Sequence, residues 1–195
     1  MTTFCGFLLT GILVFVLTGA GFGLHRQRAN IDEPRYASQN TMLRPTGYRE
    51  WIWLSSGLGM SYDTSAAATN NPSFDNVFVN PSAYRSFLET GTWPDKTTLV
   101  LEVRGSEGHA SINQNGHFQS DLISLEVHVK DEAHFQGKWA FFGFGRSADK
   151  ATVIPAAASC YSCHEQSGAV DTTFVQFYPT LFEIAKRKGT VKRTE

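Results

Sequence analysis

The sequence predicts an α+β fold: an antiparallel β-sheet laid down as a meander, a few helices, and a C-terminal helical segment. Three observations predict it. Short β-prone runs recur between residues 49 and 144 with turn residues between them. One short helical pattern interrupts the runs early, and helical patterning returns after Ala151. A Cys-x-x-Cys-His motif at 160–164 lies in that second helical part, beyond the sheet.

The first 24 residues (MTTFCGFLLTGILVFVLTGAGFGL) carry no charged side chain and read as a signal peptide or an N-terminal membrane anchor. Arg26 and Arg28 follow the run instead of preceding it, which by the positive-inside rule alone would hold the domain in the cytoplasm. Thr18-Gly19-Ala20 offers small residues for cleavage and points the other way, to export. Residues 25–47 are polar, contain Pro34 and Pro45, and read as a linker. The domain is expected over 48–189, with a tail over 190–195.

Within the domain, YREWIWLSS is aromatic and predicts a strand over 49–55, and residues 61–73 are small and polar, a loop. Asn80 followed by Pro81 starts a helix that Gly91 ends. WPDKT is a turn, TLVLEVR a strand over 98–104, and Asn115-Gly116 a hairpin signal. Ile123, Leu125, Val127 and Val129 alternate with Ser124, Glu126 and His128, the pattern of a half-buried strand. KWAFFGF supplies a strand over 138–144, and the last helix runs from Pro179 to Gly189, burying Leu181, Phe182 and Ile184.

Composition bounds the function. Net charge is -1 with 18% charged residues, which gives no electrostatic footprint for nucleic acid. Aromatic residues reach 13%, suited to a packed core or to a pocket for a large flat cofactor.

Cys5 lies in the leader, so Cys160 and Cys163 are the thiols of the domain. A structural zinc site needs a second ligand pair, and His109, His117, His128 and His134 are scattered. A redox disulfide of the thioredoxin kind belongs near a βαβ unit, not behind a meander. Covalent haem requires two thiols for the vinyl groups and an adjacent imidazole for the iron, and Cys-x-x-Cys-His supplies them within about one helical turn. The motif therefore predicts one haem c, with Cys160 and Cys163 as thioether anchors and His164 as the proximal ligand. Such haem is attached outside the cytoplasm, so the motif, like the leader, favours an exported, periplasmic protein. Met60, in the loop GLGMSYD, is the domain's candidate for a sixth ligand, against an ordinary loop side chain.

The segments FDNVFVNPSAY, GTWPDKTTLVLEV, NGHFQSDLISLEVHVKD, GKWAFFGF and CYSCHEQSGAVDTTFVQFYPTL, in this order, resemble the cytochrome P-460 family, which includes the cytochromes c′-beta. The resemblance spans about residues 48–188. It implies a β-rich homodimer with one five-coordinate haem, and either hydroxylamine oxidation or, in the c′-beta branch, binding of nitric oxide or carbon monoxide. Hydroxylamine-oxidising members carry a lysine cross-linked to the haem edge, and the alignment places Leu101 there. Lys96, a turn lysine, would take that role only under a shifted alignment. A carboxylate that oxidases hold over the haem falls on Glu126, against the alternative of a solvent-facing glutamate. The c′-beta branch caps the iron with phenylalanine, for which Phe74 is the candidate. Lys186, Arg187, Lys188, Lys192 and Arg193 are a solvated helix end or a docking patch for an acidic redox partner. The expected function is a gas-binding cytochrome with an open distal site; a hydroxylamine or nitric oxide oxidase, with Glu126 catalytic, and an electron carrier are the alternatives.

Overall fold

The computed structural model describes residue 1 and residues 32–62 and 71–193. The expected leader and most of the expected 61–73 loop lie outside the described residues. Two antiparallel sheets form. The larger has the order β3-β4-β5-β6-β7, from Ile52–Leu58, Phe74–Val79, Thr98–Glu107, Phe118–Lys130 and Trp139–Phe144. The smaller joins β1 (Tyr36–Ser38), β2 (Thr41–Leu43) and β8 (Lys150–Thr152). Helices α1 (Pro81–Thr90), α2 (Ser159–Ser167) and α3 (Pro179–Lys188) complete the α+β fold that the sequence predicts.

Helices α1 and α3 obey the same local code. Each begins with proline at its first position, where the missing N–H has no helical partner anyway. Each ends at a glycine in the left-handed region, Gly91 (φ 76°) and Gly189 (φ 69°). Asn80 does not cap α1 with its side chain. Its amide instead donates to Asp32 O (3.0 Å) and Ser82 Oγ (3.1 Å), and its Oδ1 accepts from the Thr98 N–H (2.8 Å), so it ties the helix start to β5.

Alternation sorts the large sheet into two faces. One buries Val100, Leu125, Val127, Val129, Phe142 and Phe144, together with Met42 and Ala151 of the small sheet. The other buries Val79 and Leu99 against Ala83 and Phe87 of α1 and Leu181, Ile184 and Ala185 of α3. That second face also carries the site.

Four expectations shift. Residues 36–43, expected as linker, form β1 and β2, and Met42 is 1% exposed, so the folded unit starts ahead of Tyr48. Residues 48–50 make a 3-10 turn that seats Tyr48 in the core, and the strand expected over 49–55 runs over Ile52–Leu58. Asn115-Gly116 lies within a connection spanning residues 108–117. Ile123 leaves the apolar face and is 48% exposed, because pairing passes from Val103–Ser124 to Arg104–Leu122 and leaves it as an extra residue.

Candidate functional site

On α2, Cys160, Cys163 and His164 fall at positions i, i+3 and i+4 and share one helix face. All three line a cavity of about 780 Å³ between α2, residues 173–179 and the large sheet. Pockets that take drug-sized ligands span roughly 300–1,000 Å³, so the volume suits a large organic group. Both cysteines are free thiols.

His164 is oriented by its neighbours. Its Nδ1 donates to the Thr172 carbonyl at 2.8 Å, which places the ring hydrogen there and leaves Nε2 with a free lone pair. Phe174 packs on the ring (centroids 4.4 Å apart), with Phe141 edge-on at 4.7 Å. Burial depresses the imidazole pKa, partly opposed by the Thr172 hydrogen bond, so the neutral, metal-ligating form is favoured. The Thr172 carbonyl is aimed by a two-residue turn. Val170 and Thr173 exchange backbone hydrogen bonds (3.3 and 2.8 Å), and Asp171 and Thr172 both adopt positive φ (47° and 59°). For a β-branched residue that conformation is strained by about 1–3 kcal/mol.

The sheet wall follows from register. Val77 pairs with Leu101, Leu101 with Glu126 and Glu126 with Gly143; one row along, Val79, Leu99, His128 and Phe141 align. Leu101 and Glu126 therefore stand side by side on the cavity wall. Glu126 does point away from Leu125 and Val127, as its alternation predicts, but that direction leads into the cavity. Burial raises its carboxyl pKa.

Phe74 is a correction. It pairs with Arg104 on the opposite face of β4 and does not line the cavity; its neighbour Asp75 does. Lys96 ion-pairs with Asp131, away from the cavity. Met60 lines the wall. Of the scattered histidines, His134 bonds the Gln39 carbonyl (2.6 Å), and His109 and His117 lie in the 108–117 connection. His128, one more scattered histidine in the sequence, is a site residue in the fold. It is buried, stacked on Phe141 (4.0 Å) and edge-on to His164 (4.9 Å). Phe141 and Phe174 likewise carry no local signal of a site role. Asp75, Phe141 and His128 become visible only once the strand register is known.

Two thiols and a preset imidazole open onto one largely apolar chamber, a donor set that fits a haem. The family model described as Cytochrome P460 matches residues 45–175, and the chain belongs to this family of haem cytochromes. Comparison with curated proteins finds no match.

Proposed function

We propose that this cytochrome is exported to the periplasm, carries a single haem covalently through Cys160 and Cys163, and binds nitric oxide or a similar small ligand at an open position opposite His164. The observation that carries this reading is Leu101. It occupies the cavity wall between Val77 and Glu126, where the resembling oxidases have their cross-linking lysine, and no lysine or arginine lines the cavity among the described residues. Haem iron would supply the coordination position. The chain's own residues do the rest: His164 Nε2 would bind the metal, Thr172 fixes the ring, and Val77, Leu99, Leu101 and Phe141 form an apolar part of the wall that would disfavour water and anions beside them. Homodimerisation and an acidic redox partner at the C-terminal basic residues belong to the same proposal. Among the described residues no helix is long and apolar enough to cross a membrane.

Glu126 favours a second reading, oxidation of hydroxylamine or nitric oxide, because a carboxyl with a raised pKa on the cavity wall is equipped to take a proton from a substrate. Absorption spectra of the haem-loaded protein, reduced and oxidised, with nitric oxide or hydroxylamine added, separate the readings. Gas binding predicts a high-spin spectrum shifted by nitric oxide, with no turnover of hydroxylamine. Steady electron release from hydroxylamine to an added acceptor selects the oxidase. Low-spin bands indifferent to nitric oxide contradict both and point to a sixth ligand such as Met60.

A further inference from the structure

We propose that Lys130 and Trp93 are positioning residues for His164: together they clamp the turn 170–173 so that the Thr172 carbonyl stays on the imidazole, and the clamp sets how strongly His164 donates to a bound metal. The consequence for the metal rests on the proposed function above; the clamp itself rests on the chain's own hydrogen bonds.

The turn does not hold its own shape. Two-residue turns with positive φ at both positions favour Asn-Gly or Asp-Gly. Here the second position is Thr172, β-branched and at φ 59°. Its hydroxyl is buried and makes no hydrogen bond among the described residues, so it lends the turn no local support. Such a conformation persists only where the surroundings impose it.

Trp93 and Lys130 supply those surroundings. The Trp93 N–H donates to Asp171 Oδ2 (3.2 Å), and its indole N–H donates to Thr173 Oγ1 (2.8 Å). The Thr173 hydroxyl in turn donates to the Val170 carbonyl (2.6 Å), closing the base of the turn. Lys130 joins the two parts: its ammonium donates to the Trp93 carbonyl (2.6 Å) and pairs with Asp171 Oδ2 (3.4 Å). Glu132, at 4.0 Å, is a more distant partner. Trp93 is itself immobilised, 2% exposed and packed on Phe87 with ring centroids 4.3 Å apart. Lys130 lies two residues along β6 from His128 and so on the same strand face. Strand β6 therefore meets His164 twice: His128 packs edge-on against the ring, and Lys130 grips, through Asp171, the turn that binds Nδ1.

A carbonyl that accepts from Nδ1–H fixes the tautomer and makes Nε2 a stronger donor, which favours the oxidised metal. Releasing the turn weakens that bond and favours the reduced metal. Charge alone predicts the opposite for Lys130, because removing a nearby cation favours the oxidised state. K130M thus separates the clamp from simple electrostatics. W93F removes one N–H and no charge, and tests the clamp without that competition.

Two measurements on the full chain, made for the original sequence, K130M and W93F, decide the matter. Nitrogen-15 NMR of the His164 ring before haem loading, at alkaline pH where the ring is neutral, reads the tautomer without reference to the iron. The original chain is expected to hold the Nδ1–H form alone, and both variants to show the two tautomers in exchange. After loading, the midpoint potential is expected to rise in both variants, an about tenfold shift toward the reduced form at fixed potential. A single Nδ1–H tautomer retained in both variants overturns the clamp. A potential that falls in K130M and stays in place in W93F overturns its effect on the metal. Should one variant fold poorly, the other decides between the same outcomes. Failure of the haem reading shows separately, as missing haem bands after loading, while the NMR measurement still reads the clamp.

Discussion

Gly168 shows how tightly His164 is held by its surroundings. Its N–H donates to the His164 carbonyl (2.9 Å), closing α2 just behind the imidazole. A Cβ at this position would stand 2.6 Å from His164 O, 2.7 Å from the Thr172 carbonyl carbon and 2.8 Å from the Thr173 nitrogen. All three are backbone atoms of the segment that presents and orients His164, so none swings aside. Gly168→Ala is expected to destabilise the fold by about 1–3 kcal/mol and to lower haem retention. Thermal unfolding together with haem absorbance per chain checks this; an unchanged melting temperature would show that the turn is not rigid. Legibility at this scale depends on how local the information is. Cys160, Cys163 and His164 lie within five residues, and their spacing alone puts them on one helix face, the one that lines the cavity. Asp75 and Phe74 are also adjacent, yet strand alternation sends them to opposite faces, and only the register tells which one meets the cavity.

Among the elements, β5 joins the two faces of the molecule. While Leu99 and Leu101 face the site, Glu102 turns the other way and is 1% exposed. It accepts hydrogen bonds from Tyr48, from Arg49 (2.5 Å) and from Arg104 Nε (2.7 Å), so the 3-10 turn before β3 is pinned to the sheet. Burial alone would raise the Glu102 pKa, but the hydrogen bonds of Tyr48 and Arg104 and the charges of Arg104 and Arg49 outweigh it and hold the carboxyl below its ordinary 4.5. A carboxyl depressed on folding adds stability that is full above its unfolded pKa and is lost as pH falls through the folded value. Urea unfolding should therefore show stability declining below about pH 4.5. Glu102→Gln should cost about 2 kcal/mol at neutral pH and flatten part of that decline. An acid limb as steep as before would assign the acid sensitivity elsewhere. Helices α1 and α3 are legible because proline and glycine punctuate them within the segment itself. Strands β1 and β2 are not, since three-residue strands have no periodicity to read; β2 exists through pairing with β8, over 100 residues away, and β1 through pairing with β2. The NG dipeptide misleads for a similar reason: the positive φ of Gly116 (91°) is real, but the tight turn it suggests is absorbed into a longer connection.

At the scale of the molecule, the antiparallel sheet works as a partition. One face closes over the small sheet to form a dry core, and the other is divided between α1 and α3 at one end and the cavity at the other. This division explains why the fold class could be read from patterning while the use of each face could not. Alternating strands announce two faces; which one receives a cofactor depends on where α2 docks. The family and its haem follow from motif and match together, whereas covalent attachment is the claim on which the proposed ligand chemistry stands. The most direct test is the mass of the chain after maturation with c-type haem machinery, measured under denaturing conditions for the original sequence and for the C160S/C163S variant. Covalent attachment predicts that the original chain keeps the mass of one haem through unfolding and acid extraction and that the variant loses it. Haem extracted from the original chain, with Cys160 and Cys163 recovered as free thiols, would contradict it.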